Sequence, residues 1–249
     1  MRRVFCVLIV LVATSGSLRG QASGKWPPDS LVNTKVIPHS TPVMQVVGTM
    51  RNFASALGVR CQFCHVGEEG MPLQRFDFPS DDKRTKRVAR QMMRMVEEIN
   101  RRLDTIPSRP TLAVEVTCRT CHRGVNRPVP LSTLIAETTL AAGADSGIRV
   151  YRSLRDRYLG RDAYDFGEGS LNIAAFQLGR EKRLDDALAL LKLNEELFPN
   201  SSGMYVFRGN IVVMQGDTAG AASAWREALR RDSANGEARG RLRDIGQQP

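Results

Sequence analysis

Four cysteines and two histidines fall into one pattern written twice, CQFCH at residues 61–65 and CRTCH at residues 118–122. Two thiols at this spacing, followed at once by an imidazole, suit covalent haem attachment: each cysteine forms a thioether and the histidine becomes the proximal iron ligand. The candidates are therefore Cys61, Cys64 and His65 for one haem and Cys118, Cys121 and His122 for a second. With five Cys and three His in 249 residues, two copies arise by accident in about one of a million such chains. The pattern thus has a chemical cause. Four thiolates could instead hold zinc, but two His-terminated motifs so far apart in the chain argue against a single tetrahedral site. A redox-active Cys-x-x-Cys would sit in a thioredoxin-like βαβ pattern, which the sequence lacks.

The N-terminus narrows the compartment. Arg2 and Arg3 precede an apolar run from Val4 to Ala13, and Gly20-Gln21-Ala22 offers small residues for cleavage, the pattern of a secretory signal peptide over residues 1–22. The run falls short of the roughly 20 residues that span a bilayer. The expected location is the periplasm, with an uncleaved anchor, and hence membrane association, as the weaker alternative. Removal of this segment takes away Cys6, so every remaining cysteine lies in a motif. An oxidising compartment permits disulfides, but a disulfide framework does not call for a His after each pair.

Net charge is +10, and residues 1–22 carry three Arg and no acid, which leaves +7. A basic surface favours redox partners with acidic docking faces. The Lys and Arg are spread along the chain rather than interleaved with aromatics, so nucleic-acid binding is not expected. A chain of 249 residues with 42% hydrophobic content supports one or two cored domains.

Each motif must be carried by something, and each follows a helical pattern. Before CQFCH, Val43, Val46, Val47, Met50, Phe53, Ala54 and Leu57 recur at three- and four-residue steps. Ser40 or Thr41 serves as cap, Pro42 opens the first turn and Gly58 ends the helix. Met50 on this apolar face is either core filler or a thioether ligand opposite His65. Before CRTCH, Val88, Met92, Met95, Val96, Ile99 and Leu103 form a stripe, with Ser80, Asp81 or Asp82 expected as cap. Met93 points about 100° away from Met92.

The words MRNFASALGVRCQFCHV and RVARQMMRMVEEIN…VTCRTCHRG resemble the cytochrome c subunit of photosynthetic reaction centres, and more closely its two-haem relatives in non-photosynthetic bacteria, over roughly residues 31–131. The resemblance implies a small helical domain in which a helix before each motif supplies a distal Met. It implies Met50 for the first haem. For the second it implies Met92, with Asn100 as register mark and Met95 on the same face as the alternative. Some haems of this family take a distant His instead, and the one His outside the motifs is His39, read here as a surface residue. Photosynthetic members carry four motifs and this chain two, so photosynthesis is not implied.

Downstream, Ala187 aligns with Ala221, Leu191 with Trp225 and Ala175 with Gly209 at one fixed offset of 34 residues, which resembles the tetratricopeptide repeat. Two repeats, 168–201 and 202–235, precede a short closing helix at 235–245. LSTLIAETTLAAGADSGIRVYRSLRDRYLG reads as two helices broken at Gly143–Gly147, and the Pro128–Pro130 stretch marks a boundary. The division expected is 1–22 signal peptide, 23–131 two-haem domain, 132–167 linking helices and 168–249 repeats, a mainly α protein. The function expected is electron transfer by an exported carrier of two haem c groups, not an enzyme, with the repeats docking a partner protein. The alternative is a multihaem reductase or peroxidase with one open iron position.

Overall fold

The computed structural model describes residues 25–108, 110 and 114–248; the signal-peptide reading falls outside them. The described residues are mainly α, with ten helices and a single isolated β-bridge between Val66 and Asp77. Two compact units divide the chain. One comprises the residues up to Ala54 together with Val59–Val116; the other comprises Ser55–Gly58 with everything from Thr117 on.

The first unit is built on most of α1 (Val43–Leu57) and all of α2 (Arg84–Leu103). Among its described residues the buried hydrophobic ones are Val46 and Phe76, each still 9% exposed. On α2 no residue is buried, and Val88, Met92 and Met95 stay 38%, 41% and 48% exposed. Polar contacts join the segments instead. Asp81 pairs with Lys35 at 3.0 Å, Lys86 at 3.2 Å and Arg90 at 2.8 Å, and the last two cations are themselves largely shielded. Arg90 also donates to the carbonyl of Asn33 at 2.8 Å, and Lys86 to those of Phe78, Pro79 and Ser80. This use of Asp81 overturns the expected cap: α2 starts after Lys83, which makes no side-chain cap hydrogen bond. Ser80 is diverted too, its hydroxyl accepting from the backbone N–H of Asp82 at 3.1 Å.

The second unit holds a continuous apolar core. Short α3 (Cys118–His122) leads through α4 (Leu131–Ala142) and α5 (Ala144–Tyr158) to two helix hairpins, α6 (Glu168–Arg180) with α7 (Leu184–Leu197) and α8 (Ser202–Met214) with α9 (Thr218–Arg231). Both helices of the second hairpin start 34 residues after their counterparts, as the spacing predicts. Small and large residues interlock there. A Cβ on Gly209 would stand 2.3 Å from Nε1 of the buried Trp225, so the indole fits because position 209 has no side chain. Final α10 (Gly236–Asp244), capped by Asn235, buries Ala238 and Leu242 in the same core.

Two sequence boundaries shift. The break between α4 and α5 is Gly143 alone, with Gly147 buried inside α5. Residues 117–131 group with the C-terminal helices, because Val125 and Leu131 are buried and Arg127 grips Glu137 of α4 with two bonds of 2.6 and 2.8 Å. Among the described residues no helix is long and apolar enough to cross a membrane.

Candidate functional site

The first motif enters from extended Arg60 into a 3-10 turn at Cys61–Phe63. The Cys61 carbonyl accepts from the N–H of Cys64 at 3.2 Å and of His65 at 2.9 Å, which folds both thiols and the imidazole onto one compact turn. Carbonyls left over by so short a turn need partners. The start of α2 provides them: Lys83 donates to Gln62 at 3.0 Å and the Thr85 hydroxyl donates to Phe63. Cys61 is exposed and Cys64 half-buried, and neither is joined in a disulfide. Burial pushes the Cys64 thiol pKa up, opposed by its hydrogen bond with Thr85.

His65 sets its ring edge against Phe78 at 4.9 Å, and Phe78 stacks with Trp26 at 4.7 Å and Phe76 at 5.5 Å. Burial, and after it the charge of Lys86, lower the His65 pKa to about 4. The ring is therefore neutral at physiological pH, the state that ligates metal. Its buried Nδ1 makes no hydrogen bond. Two thiols on one turn beside a neutral imidazole with an unsatisfied buried nitrogen are a donor set that fits covalent haem.

The second motif is helix α3, entered from extended Thr117, whose N–H donates to the Thr120 hydroxyl at 3.0 Å. It ends with Arg123 in the left-handed region at φ 48°. His122 Nδ1 lies 2.9 Å from the Val125 carbonyl. A carbonyl only accepts, so Nδ1 carries the proton and Nε2 keeps its lone pair, the arrangement that orients a metal-binding imidazole. Cys118 is half-buried and Cys121 exposed, again outside any disulfide, and burial raises the Cys118 pKa. This donor set also fits haem.

Asn100 on α2 fixes the strand of chain that leads into this motif. Its side-chain N–H donates to the Val116 carbonyl at 2.9 Å and its Oδ1 accepts from the Val116 N–H at 2.8 Å. The end of α1 is fixed as closely: the Gly124 N–H donates to the Ala56 carbonyl at 2.8 Å, and Gly58 adopts φ +65°. A Cβ on Gly58 would stand 2.0 Å from the Gly124 carbonyl oxygen, so no other residue fits.

Met50 is half-buried on α1, in the same compact unit as His65. Met92 and Met95 share the uncovered face of α2 with Val88, and Met93 is half-buried away from it. His39 is exposed, its Nδ1 3.1 Å from the Thr34 hydroxyl, which agrees with its reading as a surface residue. Sequence reasoning missed Lys83, Thr85, Phe78 and the Val125 carbonyl. A signal existed for Phe78 in the RFDF word at 75–78, whose alternation turns both Phe rings to one side.

Residues 61–153 match the family model of the photosynthetic reaction centre cytochrome C subunit. This segment belongs to that family. The match makes this segment a c-type cytochrome domain, of a family that implies covalently bound haem and electron transfer. The matched segment of the cytochrome holds both Cys-x-x-Cys-His motifs, all of α2 and most of α5; Met50 lies outside it. No curated protein matches the chain.

Proposed function

We propose that this cytochrome is an exported carrier of two haem c groups that passes electrons between redox proteins in the periplasm. Cys61 and Cys64 attach the first haem with His65 as proximal ligand, and Cys118 and Cys121 attach the second with His122. Met50 closes the first iron and Met92 the second, with Met95 as the alternative. The haem would supply a one-electron iron couple; the chain would supply the tethers and the iron ligands.

The observation that carries this reading is the hydrogen bond from His122 Nδ1 to the Val125 carbonyl, which leaves Nε2 free for iron. The uncovered apolar stripe of Val88, Met92 and Met95 supports it as a bed for a flat apolar macrocycle. Exposed Arg84, Arg87 and Arg94 fall on one side of α2, bordering that stripe, and fit a partner with an acidic docking face. The two hairpins at 34-residue spacing support tetratricopeptide-like repeats and a second docking surface for a protein partner. Residues 1–22 are the export signal.

A redox titration followed by optical absorption tests the reading. Two one-electron steps and no carbon monoxide binding to the reduced protein are expected. Stoichiometric carbon monoxide binding would mean an open iron position, and the reductase or peroxidase reading would replace this one.

A further inference from the structure

The two proximal rings are held differently. His122 Nδ1 donates to the Val125 carbonyl at 2.9 Å. His65 Nδ1 is buried and makes no hydrogen bond. A carbonyl lies near this ring too, that of Phe78, and it raises the His65 pKa against the larger effects of burial and of the Lys86 charge. That carbonyl is already taken. The Lys86 ammonium donates to it at 2.7 Å, and to the carbonyls of Pro79 and Ser80 at 3.0 and 2.7 Å. The Lys86 side chain is only 12% exposed, so water competes little for these contacts.

An imidazole that donates its second N–H is a more basic ligand, and a more basic ligand favours ferric over ferrous iron. Hydrogen bonding around the axial ligand is thus one of the levers that set a haem potential. His122 has that bond and His65 does not. Charge acts in the same sense. After burial, Lys86 and Arg90 both lower the His65 pKa, and the same cations favour the ferrous iron, which carries one positive charge fewer. Asp81 pairs with them at 3.2 and 2.8 Å and offsets part of this. Beside the second motif Arg119 and Arg123 are exposed, where the high dielectric of water weakens their effect.

On the two-haem reading above, we propose that Lys86 is a positioning residue that sets the first haem at the higher reduction potential, by occupying the Phe78 carbonyl that His65 Nδ1 would otherwise use. A single electron shared by the pair then rests on the iron at His65 rather than on the iron at His122.

Redox titration of the haem-loaded full chain, with each step assigned by the haem methyl resonances in proton NMR, tests this. The haem at CQFCH is expected to hold the electron about tenfold more favourably or better, a gap of about 59 mV for one electron. In the reduced protein the Nδ1–H resonance of His122 should lie downfield of that of His65, as a hydrogen-bonded proton does. Lys86→Met keeps a long stem but neither charge nor donor, and it leaves the Phe78 carbonyl and the His65 N–H both without a partner. Buried polar groups rarely stay so. The first potential should therefore fall toward the second by about 59 mV or more, the second should hold, and the His65 Nδ1–H resonance should move downfield. Lys86→Arg, with charge and donors kept, should stay closer to the parent than Lys86→Met in both readouts. A fall in potential with that resonance unmoved would be an effect of charge alone and would overturn the role given to the carbonyl. Equal potentials in the parent, or the higher one at CRTCH, would overturn the proposal and leave the two-haem reading standing. A chain without two covalent haems would overturn both.

Discussion

Asn100→Ala tests how the second motif is held. The substitution removes two hydrogen bonds to the backbone of Val116, of 2.9 and 2.8 Å. Each is worth about 0.5–1.5 kcal/mol net, so the loss is about 1–3 kcal/mol. Alanine is the better helix former by roughly 0.5 kcal/mol, which offsets a small part. Asn100 lies within α2 and Val116 is only half-buried, so water replaces some of what is lost and the lower half of the range is expected. That leaves about 0.5–1.5 kcal/mol, and at about 2–4 °C per kcal/mol for a chain of this size the haem-loaded variant should melt roughly 1–6 °C lower in the transition of the first unit. The assay is thermal unfolding followed both in the haem absorption band and by far-ultraviolet circular dichroism. Asn100→Asp keeps the acceptor for the Val116 N–H but sets a charge against the Val116 carbonyl, so it should not rescue. An Asn100→Ala protein with parental melting temperature and unchanged haem absorption would refute the idea that this side chain anchors the approach to CRTCH.

Gly58→Ala should destabilise the haem-loaded protein by at least about 1–2 kcal/mol from its left-handed backbone alone, with the clash against the Gly124 carbonyl adding to it; denaturant unfolding measures it, and parental stability would contradict the close approach. Gly209→Ala forces a methyl into the Trp225 indole and should cost about 1–3 kcal/mol by overpacking, with a red shift of tryptophan emission; a tolerated alanine would mean that the hairpins pack differently. The Asp81 carboxyl is held well below its ordinary value, first by Arg90 and then by Lys35. Its folded pKa is depressed, so its contribution is complete above the unfolded value near 3.8 and fades as pH falls below it. The melting-temperature gap between the parent and Asp81→Asn should therefore be widest at neutral pH and close below about pH 4, and a gap independent of pH would count against the ion-pair hub.

Local chemistry was readable in the sequence and distant chemistry was not. The motifs, the stripes of α1 and α2 and the 34-residue spacing of the hairpins depend on neighbours within a few turns, and each leaves a periodic or positional mark. The family resemblance makes Asn100 only a register mark, and its bond to Val116 gives that mark a physical role. Asp81 has the residue type and the place of a cap for α2 but is drawn instead to Lys35, 46 residues away. Such a partner has no signature in a linear pattern. The carbonyls of Gln62, Phe63 and Val125 were equally invisible, since any residue supplies one and the fold alone decides which side chain reaches it. The boundary moved from 131 to 117 because burial of Val125 and Leu131, rather than Pro128 and Pro130, determines where residues 117–131 pack.

The central claim is that both motifs carry haem. It is tested most directly by intact mass spectrometry of the full chain produced in a host with a haem-attachment system, under denaturing conditions that retain only covalent groups. The expected mass is that of the polypeptide without residues 1–22 plus two haems, falling to one haem when either Cys61 and Cys64 or Cys118 and Cys121 are replaced by alanine. A protein with free thiols at all four positions and no covalent haem would contradict it.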